Sequence, residues 1–193
     1  MRFSAVAALV ALSACGRAEA DHRPARAMSR ADYDLWRQPD ELVAALGLGP
    51  GDAVADLGSG EGYLTGRLAR AVGPTGRVVA TDIDAAALAQ VARIRRDDHM
   101  APIETRLVAA DRSGLEDAAY DLVLLAEVDH LLPDRAAYLA GLRAALAPGG
   151  RLAVSNRLQH RAGLLAAAAR AGYRADARRA PPGQFLVVLE PAP

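Results

Sequence analysis

Apolar residues in this chain alternate between short β-rich runs and stretches of helical periodicity, and the alternation is regular from Ala53 onward. The run 53–57 ends in glycines at alternate positions, Gly58, Gly60 and Gly62, and an amphipathic segment then opens at Tyr63-Leu64-Thr65 and continues to about Val72. That order predicts strand, tight turn, helix. Residues 77–81 predict a second strand, and Asp82-Ile83-Asp84 start a helix carried by alanines, Leu88, Val91 and Ile94. Residues 103–109 predict a third strand running out to Asp111. The unbroken apolar run at 121–125 has the character of a central parallel strand buried on both faces. A helix is predicted over 134–147, closed by Pro148-Gly149-Gly150, with a strand over 151–155. A further helix over about 160–171 precedes two β-rich runs, 173–179 and 185–190, which are split by Pro181-Pro182-Gly183. Upstream, Pro39 suits the first turn of a helix whose apolar positions are Leu42, Val43 and Leu46. Seven strands with intervening helices predict an α/β fold, a doubly wound and mostly parallel seven-stranded sheet with helices on both faces.

The first thirty residues follow a different pattern. Arg2 precedes an apolar stretch, 3–12, and then Leu12-Ser13-Ala14-Cys15. A basic start with a short apolar core describes a secretory signal, and the stretch is too short to remain as a membrane span. Leu-Ser-Ala-Cys resembles the bacterial lipobox, which implies lipid attachment at Cys15. The expected organisation is a lipoprotein-type signal peptide over 1–14, a solvated tether over 15–31, and a single domain over 32–193. Gly16 after the cysteine favours the outer membrane, facing the periplasm. The alternatives are a disordered alanine-rich leader, or an upstream start codon on a cytoplasmic enzyme.

Composition narrows the chemistry. Acidic and basic residues number 23 each, so no broad electrostatic footprint for nucleic acid is expected. All the basic residues are arginine, which excludes a lysine Schiff base. A single cysteine among 193 residues excludes an internal disulfide. No cysteine cluster or histidine pair stands at metal-ligand spacing, so no metal is expected.

The glycine loop carries the functional signal. A dinucleotide fingerprint would need glycine at position 63, where this chain has Tyr63. Asp56-x-Gly58-x-Gly60-x-Gly62 instead resembles motif I of the class I S-adenosylmethionine-dependent methyltransferases, whose fold is Rossmann-like. Leu146-Ala147-Pro148-Gly149-Gly150 is similar to that family's turn before its fifth strand. Trp36-Arg37-Gln38-Pro39-Asp40-Glu41 and Gly73-Pro74-Thr75-Gly76-Arg77 resemble a bacterial, lipoprotein-like subgroup.

The resemblance implies S-adenosylmethionine as cofactor and a last strand inserted antiparallel. It implies that Gly58, Ser59, Gly60, Gly62 and Tyr63 lie under the methionine part, with Asp56 helping to hold the ammonium group. Asp82 and Ile83 would meet the ribose, Asp111 and Arg112 the adenine, and Glu127 would complete the cofactor contacts. Asp82 or Asp84 could instead cap the following helix. His130, in the segment where the family meets its acceptor, is the candidate base. The acceptor would be a small molecule or envelope component, since the Asn/Asp-Pro-Pro-aromatic motif of base-methylating enzymes is missing. Two other readings are a binding module without turnover and, less well matched by the glycine spacing, a nicotinamide oxidoreductase.

Overall fold

The computed structural model describes residues 30–94 and 97–193; Cys15, the signal segment and the tether up to residue 29 lie outside them. Seven strands form one sheet in the order β3-β2-β1-β4-β5-β7-β6. They are β1 (Ala53–Leu57), β2 (Arg77–Asp82), β3 (Ile103–Leu107), β4 (Tyr120–Ala126), β5 (Leu146–Arg157), β6 (Tyr173–Arg178) and β7 (Gln184–Pro191). The first five are mutually parallel, and β7 enters antiparallel between β5 and β6. The Rossmann-like doubly wound sheet and its inverted last strand therefore both stand as expected.

The helices are α1 (Arg30–Arg37), α2 (Pro39–Ala45), α3 (Thr65–Val72), α4 (Ala85–Val91), α5 (Arg135–Leu142) and α6 (Arg161–Arg170). The central strands are buried on both faces, with Val54, Ala55 and Leu122 through Leu125 all at 0% exposure. One face packs with Leu42, Leu46 and Leu68 from α2 and α3, and the other with Leu139 and Leu164 from α5 and α6. Helices on both faces leave only the strand ends open, and in parallel sheets of this kind ligands bind at the carboxyl ends.

The main departures from the sequence expectation lie at two places. The third strand ends at Leu107 rather than Ala109, because its register partner β2 ends with the pair Asp82↔Leu107. The larger difference is at 143–150. Helix α5 stops at Leu142, a short 3-10 turn follows, and β5 begins at Leu146. Pro148-Gly149-Gly150 therefore lies inside a strand and does not end a helix. Leu146 pairs with Tyr120 and Arg151 with Leu122, so the register shifts between them. Glycine is required there: a Cβ on Gly150 would lie 2.5 Å from the Tyr120 carbonyl oxygen. The pair makes a bulge against β4.

Candidate functional site

The ends of β1, β2 and β4 meet the glycine loop in a cleft with two lobes. The first, about 480 Å³, is lined by Tyr33 and Arg37 of α1, Asp56, Gly58 through Glu61, Tyr63, Leu64, Ala126 and Glu127. The second, about 290 Å³, shares Gly58, Ala126 and Glu127 and continues past Asp82, Ile83, Val108 and Leu131. Ile83 and Leu131 are large apolar side chains left 66% and 69% exposed, and both form walls of this second lobe.

All three loop glycines have positive φ, but they do different things. A Cβ on Gly58 would lie 2.6 Å from Val128, and one on Gly62 would lie 2.8 Å from Ile94, so both are close-packing positions. A Cβ on Gly60 would meet nothing within 4 Å. Gly60 is among the residues that line the first lobe. The loop is held to β2 from below, where the Gly58 and Ser59 amides donate to the Thr81 carbonyl at 2.8 and 3.0 Å. Helix α3 starts at Thr65, two residues later than Tyr63.

The carboxylates are placed by backbone and helix ends. Asp82 accepts from the Gly60 amide at 2.8 Å through one oxygen and from the Asp84 amide at 2.9 Å through the other. Asp84 is the cap of α4, accepting from Ala86 at 2.7 Å and Ala87 at 3.3 Å. The two aspartates thus divide the roles. Asp56 is 2% exposed and accepts from the Thr65 hydroxyl at 2.7 Å. Burial pushes its carboxyl up from the ordinary 3.8 to about 6; the Thr65 bond opposes the shift and the nearby Asp82 charge adds to it.

Glu127 follows β4 with φ +59, a left-handed conformation that a non-glycine residue adopts at a cost. Its amide donates to the Ser155 carbonyl at 2.8 Å. Its carboxylate accepts from the Tyr33 hydroxyl at 2.7 Å, and Arg157 stands 3.7 Å away. Burial, reinforced by that acceptor, pushes the Tyr33 phenol up to about 12, so it remains a donor. Tyr63 lines the lobe with its hydroxyl on Asp34 at 2.6 Å. Its ring meets Tyr33 edge to face at 4.9 Å.

Of the sequence candidates, Asp56, Gly58, Ser59, Gly60, Tyr63 and Glu127 come together in the first lobe, and Asp82, Ile83 and Arg112 in the second. Gly62 supports the loop from behind. Asp111 lies outside both lobes, in a neighbouring depression with Pro133 and Tyr138, and it is exposed. His130 also lies outside both lobes. Its Nδ1 is 2.9 Å from the Asn156 amide nitrogen, and its ring stacks on His160 at 4.1 Å. The Asn156 orientation is fixed from two sides: Nδ2 donates to Asp129 at 2.7 Å, and Oδ1 accepts from the Arg157 amide at 2.7 Å. His130 Nδ1 is therefore an acceptor, and the neutral ring carries its proton on Nε2. Burial and the His160 neighbour hold its pKa below the ordinary value. That geometry makes it a poor collector of protons from the cleft.

Sequence reasoning missed Tyr33 and Arg37 as site residues. Their signal was an i, i+4 pair that puts a phenol and a guanidinium on one face of α1. Among the described residues no cluster of three or more metal-ligating side chains occurs.

A parallel sheet whose glycine loop, adjacent-strand aspartate and apolar second lobe share one cleft defines a Rossmann-like fold, whose ligands sit at the carboxyl ends of the strands. The methyltransferase domain family matches residues 55–152, half of the chain, and the chain belongs to that family. The ubiquinone/menaquinone biosynthesis C-methyltransferase UbiE of Hahella chejuensis is 34% identical over 129 residues, 66% of this chain and 51% of that protein. The matched region thus spans about half the length of that relative. A SAM-dependent methyltransferase from Aquifex aeolicus has the same fold with a TM-score of 0.74 at 19% identity, covering 84% of this chain and 93% of that one. The [4+2]-cyclase SpnF shares it with a TM-score of 0.67 at 16% identity, over 87% and 84%.

Proposed function

We propose that this chain binds S-adenosylmethionine along the cleft and transfers methyl to a small-molecule or envelope acceptor. The observation that carries the reading is the open face of Gly60, where backbone lies against a cavity with no side chain between. The residues present fit the cofactor. Gly60 offers close backbone approach, and Asp56 offers a buried carboxylate to an ammonium group. Asp82 keeps lone pairs for a ribose diol beyond its two amide donors. Ile83, Val108 and Leu131 supply apolar walls for a flat ring, and desolvating Ile83 and Leu131 would favour binding. Bound there, S-adenosylmethionine would supply a methyl group already activated by its sulfonium.

The chain then has to align and shield an acceptor, because displacement at such a methyl needs little beyond orientation. Glu127, held by Tyr33 at the end of β4, faces the first lobe and is the carboxylate placed to take a proton where the acceptor must lose one. Lipid anchoring at Cys15, outer-membrane placement and the bacterial lipoprotein-like subgroup belong to the same proposal. They rest on residues 1–31 and on the motifs at 36–41 and 73–77.

Calorimetry should show binding of S-adenosylmethionine and S-adenosylhomocysteine and none of NAD, and Gly60→Val should abolish it. Labelled methyl should pass from the cofactor into an envelope extract. Saturable NAD binding without a response to S-adenosylmethionine would refute the reading.

A further inference from the structure

The segment that follows β4 is held from behind by one side-chain amide on β5. Asn156 is 1% exposed, and its Nδ2 directs both hydrogens into the 3-10 turn Asp129–Leu131. One goes to Asp129 Oδ1 at 2.7 Å and the other to His130 Nδ1 at 2.9 Å. Its Oδ1 accepts from the Arg157 amide at 2.7 Å. Turning the side chain over would therefore set oxygen against Asp129 and N–H against N–H at Arg157. Asp129 is fully buried, and its second oxygen stands 3.3 Å from Arg135 Nη1. The same segment builds part of the cleft. Val128 is the side chain that a Cβ on Gly58 would strike, and Leu131 and Leu132 are walls of the second lobe.

We propose that Asn156 is a positioning residue for the cofactor cleft, and that its contact with His130 is a latch which a proton opens. The inference rests on the proposed function for its effect on binding, and goes beyond it in giving that cleft a proton-dependent wall. A neutral His130 accepts from Asn156, whereas a protonated one carries N–H on Nδ1 and meets a second donor there. Asn156 has no way to turn and receive it without giving up Asp129 and Arg157. Against the face of the ring lies His160, of the turn Leu158–His160, stacked at 4.1 Å with 23° between the planes. Protonation of both rings puts like charges in contact. Burial, His160 and Arg135 of α5 oppose a charge on His130, while Asp129 and Glu127 favour it; the balance holds it below the ordinary 6.5. The two carboxylates are engaged elsewhere, Asp129 by Asn156 and Arg135, and Glu127 by Tyr33 and Arg157. The folded state thus takes up this proton less readily than the unfolded chain. The latch's contribution is present above pH 6.5 and fades as pH falls below it, releasing the turn that carries Leu131.

The test uses the full chain as wild type, His130→Phe and Asn156→Asp. Three readouts are taken: NMR titration of the histidine rings, amide hydrogen exchange, and calorimetry with S-adenosylhomocysteine. In wild type, His130 should carry its proton on Nε2 at pH 8 and titrate below 6.5. Asn156→Asp replaces the donor by an acceptor, so the His130 titration should move up by about one pH unit or more. The Leu131 amide donates to the Val128 carbonyl at 2.9 Å and reports the turn. From pH 8 to pH 5 its protection should fall by about tenfold in wild type and by less than about twofold in His130→Phe, which keeps a ring on His160 but takes no proton. Over the same range, affinity for S-adenosylhomocysteine should fall about threefold further in wild type than in His130→Phe, Asp56 contributing equally to both. A His130 titration unmoved in Asn156→Asp, or equal losses of Leu131 protection in wild type and His130→Phe, overturns the latch and leaves Asn156 as a tie between two strand ends. Lost protection with equal affinities overturns the positioning role. If Asn156→Asp does not fold, wild type against His130→Phe decides alone. If wild type binds no nucleoside, the cofactor reading fails on its own, and the Leu131 protection still decides the latch.

Discussion

At the scale of single residues, Asp56 shows the conflict between holding a fold and holding a ligand. Its carboxyl titrates near 6 in the folded chain against 3.8 unfolded, so the folded state binds the proton more tightly. The associated stability is fully present below pH 3.8 and is lost as pH rises through about 6. A shift of that size is worth on the order of 3 kcal/mol. Asp56→Asn should therefore be more stable than wild type at pH 8, by up to that amount, with the difference closing toward pH 4 in urea melts. The same variant should bind S-adenosylhomocysteine more weakly at pH 8. For the wild type, a cationic guest favours the ionised carboxylate, so its affinity should fall as pH drops below about 6. An affinity that is flat across that window would separate Asp56 from the ammonium group.

At the scale of elements, the junction of β2 and α4 gives two neighbouring aspartates separable duties. Asp84→Ala removes the cap of α4 and should cost about 1 kcal/mol of stability with cofactor affinity unchanged. Asp82→Ala should weaken binding by about 1–3 kcal/mol, since it removes the proposed ribose partner and frees the Gly60 amide. Equal affinities for the two variants would assign both to capping. That one of the two aspartates caps α4 was legible in Asp-Ile-Asp because a cap is a local feature. The strands were legible for the same reason, as period and punctuation lie in neighbouring residues. The bulge at Gly149-Gly150 was not, because the contact that demands glycine comes from Tyr120, in another strand. His130 had the right neighbours in sequence and the wrong ones in space. Its position depends on Asn156 and His160, which no local pattern announces. Arg37 stands in the sequence only as part of a motif, and what makes it distinctive, its burial against Ser155 and Gln184, exists only once β5 and β7 surround it.

At the scale of the molecule, the cleft is lined by residues between Tyr33 and Tyr138, and the last strand bears on it through Gln184, which holds Arg37. Strand β7 buries Phe185 through Leu189 between β5 and β6, and its Gln184 secures Arg37. A chain ending at residue 180 retains the glycine loop, Asp56, Asp82 and Glu127. It should nevertheless lose cooperative urea unfolding, because β5 is left with an open apolar edge. A sharp transition in that truncated chain would show the first five strands to be self-sufficient. The insertion of β7 also sets an order of events during synthesis. Arg37 leaves the ribosome 147 residues before Gln184, the partner that fixes its pose. Strands β1 to β4 can pair while translation continues, but the guanidinium stays unfastened until the inverted strand has been made and threaded home. The fastening of α1 to the sheet thus becomes a property of the finished polypeptide, and a stalled nascent chain would carry the glycine loop without it.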